Sequence, residues 1–100
     1  MEFEFIEVME KLGLRDFPVN GHLHLKYGTM SIQANEFCYC TPRTYYSNLK
    51  RYETFEVSVI CDSEKVDKIL KPYHFDDLGE MKLYEQVPKG LVEQVYQLLK

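Results

Sequence analysis

Residues 52–63, Tyr-Glu-Thr-Phe-Glu-Val-Ser-Val-Ile-Cys-Asp-Ser, constrain the fold more than any other stretch of the chain. Phe55, Val57, Val59 and Cys61 alternate with Glu56, Ser58 and Ile60. That is the period-two pattern of a strand with one buried face. Ile60 breaks the polar side, which predicts that something covers that end of the second face too. The pattern predicts a central strand, and Asp62 and Ser63 behind it predict a helix start.

The flanking stretches sort themselves around this strand. Residues 2–12 read as a helix, with Phe5, Val8, Met9 and Leu12 at i, i+3, i+4 and i+7 and Glu2, Glu4, Glu7 and Glu10 on the other side. Gly13 is its natural stop, and Pro18 with Asn20-Gly21 predicts a turn. In His22-Leu23-His24-Leu25-Lys26 the leucines point inward and the histidines outward. Tyr27-Gly28 then turns the chain into a second strand on which Met30, Ile32 and Ala34 face the core. Residues 37–40 are expected as a third short strand, stopped by Pro42.

Downstream of the central strand, Val66, Ile69 and Leu70 predict a helix over residues 63–71 that Pro72 ends, followed by a loop over residues 73–79. Residues 81–87 read as a strand with Met81 and Leu83 inward. Pro88 opens a last helix on which Leu91, Val92, Val95, Tyr96, Leu98 and Leu99 form a broad apolar face. The order implies an α+β fold. It is a two-layer domain over residues 1–100, with a sheet of about five strands (an antiparallel meander plus a βαβα half) and helices mainly on one face. If residues 54–61 and 81–87 pair, a βαβ crossover makes them parallel.

One hundred residues, 45% of them hydrophobic and 14% aromatic, suffice for one packed core and exclude a disordered composition. A net charge of −4 opposes nucleic acid and anionic membranes in bulk. The acidic N-terminus does not read as a signal peptide, and no run approaches the roughly 18 apolar residues of a membrane span. With three cysteines, an odd number, the expectation is a cytoplasmic protein with reduced thiols.

Three groups of side chains have the makings of chemistry. His22-x-His24 and Cys38-x-Cys40 offer four zinc-ligand types. The alternation, however, sends the histidines to water and the thiols inward, and no metal or other cofactor is expected. Cys61, at a strand end before a helix start, is the best-placed thiol, but it lacks the glycines of a nucleophile elbow. His74, Asp76 and Asp77 read as a solvated turn before they read as acid–base machinery.

The most distinctive segment is 41–52. It holds Arg43, Lys50 and Arg51 and no acid, interleaved with Tyr45, Tyr46 and Tyr52. Tyrosine and arginine are enriched at protein-binding hot spots, and the same mixture suits single-stranded nucleic acid. Arg43, Tyr45, Tyr46, Lys50, Arg51 and Tyr52 are therefore the candidate binding residues. The acidic first helix is a second candidate surface.

The run Tyr27-Gly28-x-x-Ser31-Ile32-Gln33-Ala34, then Tyr39-Cys40-Thr41-Pro42-Arg43, then Tyr52-x-x-x-Glu56-Val57 resembles small proteins encoded in prophages and mobile elements of Gram-positive bacteria. The resemblance covers about a third of the chain and carries no assigned activity. It implies a setting in which a small acidic protein, acting as a viral inhibitor, binds a host machine such as a defence nuclease. The leading expectation is thus a non-catalytic, protein-binding protein, monomer or homodimer. A single-stranded nucleic-acid binder through loop 41–52 comes second. An enzyme or metal protein using Cys61 or the His/Cys strand pairs comes third.

Overall fold

The computed structural model describes residues 3–12, 20–46 and 48–100; Glu2, Gly13 and Pro18 of the expected first helix and turn lie outside them. Three helices, α1 (Glu4–Lys11), α2 (Glu64–Leu70) and α3 (Lys89–Leu99), accompany five strands: β1 (Asn20–Leu25), β2 (Gly28–Gln33), β3 (Thr54–Cys61), β4 (His74–Leu78) and β5 (Met81–Pro88). The sheet order is β1-β2-β3-β5-β4, which places the strand predicted to be central at the centre. Every neighbouring pair is antiparallel. The fold is α+β, with the helices packed against this sheet.

Local chemistry accounts for the element ends. Ser63 caps α2, its hydroxyl accepting the Val66 N–H at 3.3 Å. Lys26 and Tyr27 form a two-residue hairpin turn in which Leu25 pairs with Gly28. The turn docks on the last helix, as the Tyr27 N–H donates to the Leu99 carbonyl at 2.9 Å. Gly28 is required by its neighbour strand: a Cβ there would lie 2.7 Å from the Ile60 carbonyl oxygen.

The core lies between the helices and one face of the sheet. Phe55, Val57 and Val59 of β3, Met30 and Ile32 of β2, Leu23 of β1 and Tyr84 and Val87 of β5 are buried. They meet Phe5, Ile6 and Met9 of α1, Val66 and Leu70 of α2, and Val92, Val95, Tyr96 and Leu99 of α3. The Phe5 and Phe55 rings pack edge to face at 5.5 Å. Across the helix layer, the Phe5 N–H donates to Glu93 Oε1 at 3.0 Å and Lys100 Nζ reaches Glu4 Oε2 at 2.6 Å.

Several expectations are corrected. Residues 37–40 form no strand; they make a bent segment, and pairing resumes only as a single bridge between Thr41 and Thr54. Asn20 and Gly21 belong to β1 and are no turn. The expected loop 73–79 contains β4 instead. Because β4 is inserted, β5 returns beside β3 as an antiparallel neighbour and the expected parallel βαβ unit does not form. In α1 the buried stripe is Phe5, Ile6 and Met9, while Leu12 is exposed. Ile60 is exposed as well, so its end of the sheet is not covered.

The face assignment of β5 is the correction with most consequence. Val57 pairs with Tyr84, yet Phe55 pairs with Val87, so β5 spends one extra residue at Glu85 and Gln86. Gln86 takes a φ of 50°, the left-handed turn of a bulge. The bulge reverses the parity of everything before it. Tyr84 and Lys82 face the helices, where Lys82 Nζ meets Asp67 Oδ1 of α2 at 3.3 Å. Leu83, the partner of Ser58, and Met81, the partner of Leu78, point to the other face.

Candidate functional site

The face turned away from the helices divides into two halves. On β1 and β2 it is polar: His22 pairs with Ser31, His24 with Thr29, and Gln33 lies beyond. On β5 and β4 it carries Met81, Leu83 and Leu78, and Ile60 joins them from β3, whose other residues on this face are Thr54, Glu56 and Ser58. Ile60 is 37% exposed and Leu78 69% exposed, with Met81 and Leu83 half-buried between their strands. A leucine or isoleucine left in water forgoes about 1.5–3 kcal/mol that full burial would supply, so a row of them calls for a covering surface.

Segment 35–41 closes one end of this strip. The Tyr39 N–H donates to Glu56 Oε1 at 3.1 Å, and the Tyr39 carbonyl accepts the bulge N–H of Gln86 at 2.9 Å. The bulge donor, turned out of the ladder, is what pins the segment here. Thr41 Oγ1 adds a bond to Gln86 Oε1 at 2.9 Å. Tyr39 is thereby held against Phe75 of β4, ring centroids 5.4 Å apart and edge to face. Phe75 is the unpaired residue of a second register shift, between His74 and Asp76. Arg43 stacks on the Tyr39 ring at 5.2 Å. Phe37, beside them in sequence, is 76% exposed.

Cys38 and Cys40 lie beneath this corner. Their sulfurs approach Gln33 Oε1 at 3.6 Å and the Asn35 carbonyl at 3.3 Å. Burial, with Glu56 adding to it, pushes the Cys38 thiol up to about 11, and burial raises Cys40 also. Both are held as neutral thiols, the opposite of an activated nucleophile. Cys61 is half-buried at the far end of β3. His22 and His24 stand exposed on β1. Among the described residues no group of three or more His, Cys, Asp or Glu side chains is arranged to hold a metal ion.

The six candidate residues of loop 41–52 have unequal fates. Tyr52 is wholly buried; its hydroxyl accepts the Tyr46 N–H and donates to the Thr44 carbonyl, each at 2.7 Å. It shapes the loop and presents nothing to a partner. Tyr46 packs against Tyr52 at 5.3 Å and carries Arg51 over its ring at 4.0 Å. Tyr45 packs against the core. Arg43, Lys50 and Arg51 are exposed. Of the six, Arg43 alone joins the apolar strip, through Tyr39. Near the loop, Thr54 Oγ1 is buried without a hydrogen-bond partner among the described residues.

His74 and Asp77 meet at 2.8 Å on the helix side of β4, solvent-exposed as expected but on a strand instead of a turn. With Asp67, Lys71, Lys82 and Tyr84 they line a cleft of about 360 Å³. Its acids are engaged, Asp77 by His74 and Asp67 by Lys82. Burial pushes the Tyr84 phenol up to about 12, which keeps it protonated. Of these contacts, the Asp67–Lys82 ion pair ties α2 to the sheet.

Sequence patterning assigned no surface role to Phe37, Tyr39, Ile60, Phe75, Leu78, Met81 or Leu83. The one available signal was Ile60, which breaks the polar alternation of β3. No protein-family model, curated protein or solved structure matches the chain. No helix among the described residues is long and apolar enough to cross a membrane.

Proposed function

We propose that this chain is a non-catalytic binding protein whose partner is another protein, docked on the apolar half of the open sheet face. The observation that carries the reading is the outward placement of Met81, Leu83, Leu78 and Ile60 beside the Tyr39–Phe75 pair. Aromatic anchors with an arginine at the edge of an apolar patch are the composition of a binding hot spot. The nucleic-acid reading is weaker: Glu56 and Asp76 lie on the same face and repel phosphate, and the loop tyrosines are packed inward instead of being offered for stacking. The resemblance to small phage and mobile-element proteins would make the partner a host protein, such as a defence nuclease.

Affinity capture from a lysate of the native host tests this reading. Leu83→Glu should abolish capture of the partner while the fold stays intact by circular dichroism. Alanine at Lys50 and Arg51 should reduce it little. Undiminished capture by Leu83→Glu would refute the docking face.

A further inference from the structure

We infer that the occupant of the open face is a single amphipathic α-helix of the partner, about three turns long, with Lys or Arg flanking its apolar stripe. This rests on the docking face proposed above and names what fits it. Width comes first. Ile60 on β3, Met81 on β5 and Leu78 on β4 set the width, two inter-strand spacings of about 4.8 Å each, or about 10 Å. That is the diameter of one helix with its side chains. Length follows from β5. From Met81 to Gln86, whose N–H holds Tyr39, the strand advances at most about 16 Å at about 3.3 Å per residue. Three helical turns of 5.4 Å cover that distance.

Charge then selects the helix. Glu56 on β3 and Asp76 on β4 face the same side as Leu83, and Glu80 sits in the turn between Leu78 and Met81. Against them stands Arg43 at the Tyr39 end. An acidic rim around an apolar strip favours a basic rim on the partner and raises the association rate. The same acids disfavour a second copy of this chain, whose strip would bring acidic rims together.

The free edge of β4 is a poorer route. The Asp77 N–H is already taken by the Asp76 carboxylate at 2.8 Å, and adjacent edge acids discourage strand addition.

Two synthetic helices of about 15 residues provide the probe. Both carry leucine at i, i+3, i+4 and i+7; one has lysine and the other glutamate at the flanking positions. Titrated into the ¹⁵N-labelled protein, the lysine helix should shift the amides of Ile60, Leu78, Met81 and Leu83. It should bind about tenfold or more tightly than the glutamate helix, a difference of about 1.4 kcal/mol. Glu56→Lys with Asp76→Lys should reverse the preference. Equal binding of the two helices, shifts confined to another surface, or concentration-dependent shifts of these amides in the protein alone would overturn the inference. If neither helix binds while Leu83→Glu still abolishes partner capture, the helix assignment falls and the docking face stands.

Discussion

The two faces of the sheet are built from the same strands by opposite rules. On the helix side, Phe55, Val57, Val59, Met30 and Ile32 are sealed under α1, α2 and α3. On the other side, one half follows the usual polar pattern through His22, His24, Thr29 and Ser31, and the other half does not. Leu78, Met81, Leu83 and Ile60 occupy positions where a stable free-standing domain does best with polar residues. The difference separates apolar surface that is used in folding from apolar surface that stays exposed.

Paired truncations break or sharpen this contrast most strongly. Phe55→Ala should cost about 3–5 kcal/mol in denaturant unfolding, as for a fully enclosed aromatic. Leu83→Ala should cost less than about 1 kcal/mol, because its side chain is only half enclosed. Similar costs at the two sites would mean that the open face is core after all.

Alkaline titration is the next largest effect. Cys38 moves from an ordinary value of 9.0 to about 11 on burial. The unfolded thiol therefore releases its proton first as pH rises. Stability is complete below pH 9 and declines between pH 9 and 11, as the folded-state value is approached, by an amount of order 2 kcal/mol. Unfolding midpoints at pH 8 and 10.5 should differ in wild type and differ less in Cys38→Ala. A midpoint independent of pH would show that the corner sheltering Cys38 opens freely.

The smallest effect concerns the loop behind β3. Thr54→Val replaces a buried hydroxyl, without a partner among the described residues, with a methyl group. It should leave stability unchanged or raise it by up to about 1 kcal/mol, read by thermal unfolding. A loss greater than that would mean that the hydroxyl has a partner after all.

Much of the covered face was legible in the sequence. The alternation of Phe55, Val57 and Val59 placed the central strand, Ser63 marked the start of α2, and the apolar stripe of α3 named Val92, Val95, Tyr96 and Leu99. These depend on short-range periodicity and capping, which a local reading captures. The open face was not legible, for two physical reasons. Counting back by twos from Val87 puts Leu83 and Met81 inside; the bulge at Glu85 and Gln86 reverses the count, and nothing local in the sequence announces it. β4 consists of five exposed residues with two adjacent aspartates, so it shows neither apolar alternation nor β-propensity and owes its strand form to the ladder with β5. Of the residues singled out in loop 41–52 for their type, Arg43 lies over the Tyr39 ring, whereas packing turns Tyr45, Tyr46 and Tyr52 inward.

Site-specific photo-crosslinking tests the central claim most directly. A benzophenone amino acid is placed at Leu83, on the apolar half, and in a second variant at His24, on the polar half of the same face. Irradiated in native-host lysate, the Leu83 variant should yield one discrete heavier adduct and the His24 variant none. Equal adducts from both positions, or an adduct from His24 alone, would contradict the account.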